Sequence, residues 1–125
     1  MTRPAFAQDT WYDRAIVIDA LGGVKDPYNT PGTWRLSDRA WAETVATGVT
    51  MIRDSVFPVG NVADPWGEYL KKIAEHQHEL VANADRLLLV RTTADILRAK
   101  RERKLAVLIG TQDSVMIGPE LDRVA

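Results

Sequence analysis

The chain has 125 residues, 46% of them hydrophobic, which is the size and apolar content of one ordinary domain and excludes a disordered or fibrous segment. With 16 basic residues against 17 acidic ones, no global field draws the protein to nucleic acid or to an anionic membrane. The absence of cysteine excludes disulfides, thiolate metal sites and a cysteine nucleophile, and makes the reducing cytoplasm the expected compartment.

Residues 1–10 include Pro4, Gln8 and Asp9 and hold no apolar run of signal-peptide length, and nothing downstream approaches the ~20 apolar residues of a membrane span. The first strong element is Ala15-Ile16-Val17-Ile18-Asp19-Ala20, a β-branched run expected to form a strand buried on both faces. It stops at Gly22-Gly23, and Pro27, Asn29, Pro31 and Gly32 then predict a long loop to Leu36. Ser37 caps a predicted helix over 38–47, with Trp41 and Val45 on one face and Gly48 as its terminator. A second strand follows from Val49, reaching towards Phe57.

Beyond Pro58 and Gly60, Asp64 and Pro65 predict the start of the longest helix, over 66–83. Its apolar stripe runs through Trp66, Tyr69, Leu70, Ile73, Gln77, Leu80 and Val81. The run 86–91 is a short extended piece, and Thr92 or Thr93 caps a helix to about Arg103 with Ile96, Leu97 and Ala99 inward. Leu105-Ala106-Val107-Leu108-Ile109-Gly110 is a further buried-type strand, a loop spans 111–118, and a helix is expected to begin near Pro119. Strands alternating with helices predict right-handed crossovers and a parallel sheet in a single α/β domain. Three or four strands are too few to close a barrel of eight, and the sequence stops inside a helix-like segment, so a fragment is expected. A complete small flavodoxin-like domain is the remote alternative.

Ligand crevices of parallel sheets lie at the strands' C-terminal ends, which directs attention to the loops after Asp19, Phe57 and Gly110. Asp19 ends an apolar strand, where a carboxylate either serves a cation or shapes the loop by accepting backbone N–H groups. Asp54 is a second candidate that could equally pair with Arg53 or a neighbouring helix, and Gln112 and Asp113 could equally be turn formers. His76 and His78 are two apart on a helix instead of the i, i+4 of a chelating pair, so they are expected at the surface or rim. The basic residues Arg98, Lys100, Arg101, Arg103 and Lys104 close a helix, where cations offset the dipole. Trp11, Trp34, Trp41 and Trp66 are read as core and rim packing, and Gly22-Gly23 lacks the remainder of a phosphate-binding loop.

The run Asn83-Ala84-Asp85-Arg86-Leu87-Leu88-Leu89-Val90-Arg91-Thr92-Thr93-Ala94-Asp95-Ile96, then Ala99-Lys100 and Lys104-Leu105-Ala106-Val107-Leu108-Ile109-Gly110, resembles the stretch of membrane (renal) dipeptidases that passes an A-x-x-x-G-K turn to a strand ending in G-x-E-G. Val17-Ile18-Asp19 is similar to that family's first strand, V-I-D-G-H-N-D, so the resemblance covers nearly all of this chain and about the first third of a typical member. It implies the N-terminal portion of a (β/α)8 TIM-like barrel, a metallohydrolase using zinc to cleave dipeptides, with a small molecule or dipeptide as substrate; apolar faces intended for later strands would be exposed, so association, as in a homo-oligomer, is expected. The family's first two metal ligands fall here on Leu21 and Gly23, which cannot bind zinc through their side chains, and its bridging glutamate falls on Gln112. Gly110-Thr111-Gln112-Asp113-Ser114 fits a subgroup carrying G-x-Q-[DN]-[ST] at that turn. Asp19 and Gln112 are therefore the residues left to support a metal, and no catalysis is expected from these residues alone. A relative that binds a small molecule without hydrolysing it is the alternative.

Overall fold

The computed structural model describes residues 11–56 and 60–124. The readings made on residues 1–10, Phe57 and Pro58 lie outside the described residues. The elements are α1 (Trp11–Arg14), β1 (Ile18–Asp19), α2 (Asp38–Ala46), β2 (Met51–Val56), α3 (Pro65–Ala82), β3 (Leu87–Leu89), α4 (Thr93–Glu102) and β4 (Leu105–Thr111), with a 3-10 turn at Leu121–Val124.

All four strands are parallel, as the alternation predicts, in the spatial order β1-β2-β4-β3. Chain order and spatial order part company at β3, which lies outside β4 and pairs only with Leu105, Ala106 and Val107 of its partner. Successive residues of a strand face opposite sides of a sheet, and the core divides accordingly. Leu36, Ile52, Leu87, Leu105 and Val107 pack on one face with Trp41 of α2 and Leu80 of α3. Met51, Leu88, Val90, Ala99 and Ala106 pack on the other with Ile96 of α4.

Local chemistry sets the helix ends. Ser37 Oγ accepts the Ala40 N–H at 3.2 Å, Asp64 Oδ1 accepts that of Gly67 at 3.0 Å, and Asp95 Oδ2 accepts those of Arg91 and Thr92 at 3.0 and 2.9 Å. Past α2, Gly48 has φ +72°, and a Cβ there would meet Tyr12 Cε1 at 2.7 Å, so both backbone and space require glycine. Tyr12, on the single turn α1 that the sequence did not signal, donates its hydroxyl to Thr47 O.

Three sequence expectations are corrected. The first strand is not buried on both faces. Among the described residues it is a two-residue edge strand pairing only β2, with Ile16 and Ile18 40% and 50% exposed. The face α3 presents inward is rotated from the apolar stripe: Leu70 and Val81 are exposed, whereas His76, Leu80 and Asn83, at i, i+4 and i+7, turn towards the sheet. On α4, Ala99 is fully buried but Leu97 is exposed, because this helix meets the sheet along the side that carries Ile96 and Ala99.

Candidate functional site

The residues between β1 and α2 form a wall strapped onto the end of α3. Asn83, wholly buried, is the central fastening. Its Nδ2 donates to the carbonyls of Trp34 and Glu79 at 2.7 and 2.8 Å, and its Oδ1 accepts the Leu36 N–H at 2.9 Å. Arg35 forms a two-point pair with Asp85 and donates to Ala82 O at 2.9 Å. This guanidinium holds the Asp85 carboxyl down at about 2. Arg86 donates to Leu36 O at 2.7 Å and pairs with Asp38. At the other end of the loop, Asp26 accepts N–H groups from Tyr28 and Ser37.

A cleft of about 500 Å³ lies between this wall and α3, at the C-terminal ends of β1 and β2. Gly23 to Asp26 and Asn29 to Trp34 line one side, Asp54 and Ser55 the floor, and Lys72, Glu75, His76 and Glu79 the other side. Gly23 is the point where the loop crosses Asp54: a Cβ there would stand 3.3 Å from Asp54 Oδ1.

Asp54 and His76 meet on the cleft floor with side chains 19% and 15% exposed, His76 Nε2 lying 3.5 Å from Asp54 Oδ2. His76 Nδ1 is 3.0 Å from Lys72 O. A carbonyl can only accept, so Nδ1 carries a proton. A neutral imidazole would then aim its Nε2 lone pair at a carboxylate, whereas a protonated ring places N–H against it. The Asp54 carboxylate accordingly raises the His76 pKa from its ordinary value, outweighing the opposing effect of burial. Nδ1 is thus held by its own helix, while Nε2 is buried, faces Asp54 as a charge and has no hydrogen bond among the described residues. Lys72 pairs with Glu75 on the same wall. Burial pushes the Glu79 carboxyl above the ordinary glutamate value, against the opposing charge of His76.

Of the residues singled out from the sequence, Asp19 shapes the loop: its Oδ1 accepts the Leu21 N–H at 3.0 Å. Gln112 is exposed, and Asp113 accepts the Val115 N–H at 3.0 Å as a turn former. The register sets Asp19 beside Ile52 and Thr111 beside Val56, roughly 13 Å along the strands and two strands apart. One ion cannot take both Asp19 and Gln112 as ligands. Asp54 pairs with the neighbouring helix, not with Arg53, which instead spans to Thr111 O across β4. His78 is exposed and stacks on Trp34 at 5.4 Å, as a rim residue should. The rim expectation for His76 is corrected, because it followed the apolar stripe, and the helix is turned so that His76 faces β2. The basic residues do close α4, with Arg98 on Asp95 and Lys104 on the Ala84 carbonyl. Trp41 belongs to the core, while Trp11 and Trp34 are exposed.

Zinc does not fit the donors of this segment. A protein zinc site needs three or four nitrogen, sulfur or oxygen ligands, and among the described residues no three His, Cys, Asp or Glu side chains converge on one point. Leu21 is exposed hydrocarbon, and Gly23 has no side chain to offer.

No protein-family model matches the chain, and no curated protein matches it. Among solved structures, an amidohydrolase from Pseudomonas aeruginosa superposes on 90% of this chain with a TM-score of 0.68 at 23% sequence identity. This chain shares the fold of the matched part of that protein. It spans 30% of the amidohydrolase's length. Among the described residues no helix is long and apolar enough to cross a membrane.

Proposed function

We propose that this chain is the N-terminal portion of a hydrolase-like (β/α) barrel protein whose cleft receives a small amide-bearing molecule. The observation that carries the reading is the position of the cleft, at the C-terminal ends of parallel strands, where barrels and open α/β sheets hold their ligands. The shared fold with an amidohydrolase supports it. In such a barrel β1, β2 and β4 are wall strands. β3 is then an addition beside β4, and residues 108–111 of β4 remain open on that side.

The finer reading, dipeptide hydrolysis with zinc, rests on the membrane dipeptidase resemblance alone and needs donors from outside this segment. The shortage of metal donors among the described residues favours binding without turnover for these 125 residues. Incubation with alanylalanine, followed by amine release and by calorimetry, separates the two. Binding without turnover is expected, and chelator-sensitive hydrolysis by the 125-residue chain would overturn it.

Self-association belongs to the same proposal. Among the described residues the β1 edge has no strand partner beyond β2 and stands beside exposed Ile16, Ile18 and Leu21, a template for another strand. Light scattering should give a mass above 13.9 kDa, and Ile18→Lys should return it towards the monomer. A wild-type monomer at 100 µM (roughly the range where such edges associate) would count against this.

A further inference from the structure

A groove of about 200 Å³ lies between the C-terminal ends of α2 and α4, at the N-terminal edge of β2 and β4 and so at the end of the sheet opposite the cleft. Trp41, Val45, Val49 and Leu105 give it apolar walls. Its charged lining is Lys100, Arg103 and Lys104, three cations with no carboxylate among the lining residues. Lys104 is held by the Ala84 carbonyl at 2.9 Å and reaches Glu102 at 3.4 Å. The side chains of Lys100 and Arg103 have no hydrogen bond or ion pair among the described residues. Cations at a helix end ordinarily answer its last carbonyls, but here the backbone already does much of that. Thr44 O and Val45 O accept the N–H groups of Thr47 and Gly48, and Ala99 O and Lys100 O accept those of Lys104 and Arg103.

Arg103 carries a second, independent mark. Where α2 closes on Gly48 at φ +72°, α4 closes on Arg103 at φ +57°, the one non-glycine residue at positive φ among the described residues. Glycine takes this closing position at least cost. A residue with a side chain is strained there, and such strain points to a use for the side chain.

We infer that this groove binds a small phosphate monoester, its phosphate among Lys100, Arg103 and Lys104 and its hydrocarbon against Trp41 and Leu105. Three cations match a dianion better than a singly charged carboxylate. A zwitterion such as alanylalanine brings its own ammonium and gains little from this field, so the inference stands apart from the reading of the cleft.

The test is titration of the 125-residue chain at pH 7.5 and constant ionic strength with n-butyl phosphate, butyrate and n-butanol, following backbone amide signals by NMR. Butyl phosphate should shift Gly48, Val49 and Leu105 saturably, with an affinity about tenfold above butyrate and further above butanol. Arg103→Gly should weaken butyl phosphate about tenfold while raising the melting temperature by about 3 °C, a pairing that a merely structural arginine would not give. Lys100→Gln, which leaves the turn alone, should weaken it about fivefold. Equal affinity for butyl phosphate and butyrate in the wild type overturns the inference without need of a variant. So does an Arg103→Gly protein that keeps the wild-type affinity, or a set of shifts that spreads without saturation over Arg98 and Arg101.

Discussion

Replacing Asn83 by alanine should lower stability by about 3 kcal/mol and the melting temperature by about 10 °C. The side chain is wholly buried and every polar atom is used: two N–H groups on the carbonyls of Trp34 and Glu79, one oxygen on the Leu36 N–H. Truncation strands the Trp34 carbonyl and the Leu36 N–H, while Glu79 O keeps the backbone N–H of residue 83, and this costs more than the net value of the bonds lost because each stranded group keeps its desolvation penalty. Asn83→Asp keeps the size but sets carboxylate oxygens against two carbonyls, so it should be at least as damaging. In both variants the wall at 34–36 should loosen first, giving faster amide exchange at Leu36 than in the β4 strand. Thermal melts check the magnitude, and a change under 2 °C in Asn83→Ala would mean that Arg35 and Arg86 hold the wall without it.

The second large effect is expected at the Asp54–His76 pair. Asp54→Asn should cost about 2 kcal/mol near neutral pH, the range for leaving a largely buried polar group without its partner. The His76 pKa is raised in the folded protein, chiefly by Asp54. Its stabilisation is therefore fully present below the unfolded value near 6.5 and is lost as pH rises through the folded value. Wild-type stability should fall across that window, and the fall should vanish in Asp54→Asn. Glu79, also raised, adds a loss of the same sign beginning at its lower unfolded value of 4.5. The other charges around His76, namely Lys72 and Glu75 on α3 and Lys25 and Asp26 on the facing loop, are common to both proteins. The chain has only two histidines, so imidazole NMR follows His76 directly. A His76 midpoint unmoved by Asp54→Asn would show that the pair does not interact.

These residues mark where sequence and structure diverge. The parallel sheet, both long-helix caps and the terminator at Gly48 were legible because each rests on local chemistry: β-branched runs, an Asp or Ser three residues before a free N–H, a glycine at positive φ. The burial of β1 was not legible. Its composition suits a central strand, and only the pairing pattern makes it an edge. The rotation of α3 was hidden for a related reason. Leu70 and Val81 outweigh His76 and Asn83 on any apolar scale, yet the polar residues face inward because the 34–38 strap and Asp54 supply partners for them. A signal was present in the spacing of His76, Glu79, Leu80 and Asn83 along one side of the helix, but a polar stripe reads as solvated until its partners are known. Asp19 and Gln112 were selected by position at strand ends, and the register then separated them.

The direct measurement of the central claim is a map of backbone amide shifts on adding alanylalanine to the 125-residue chain. The expected result is a saturable set of shifts confined to Gly23, Trp34, Asp54, His76 and Glu79, around the cleft. Shifts gathered instead at the groove between the C-terminal ends of α2 and α4, around Trp41, Lys100 and Lys104, or no saturable shifts at all, would contradict the assignment of the cleft as the functional site.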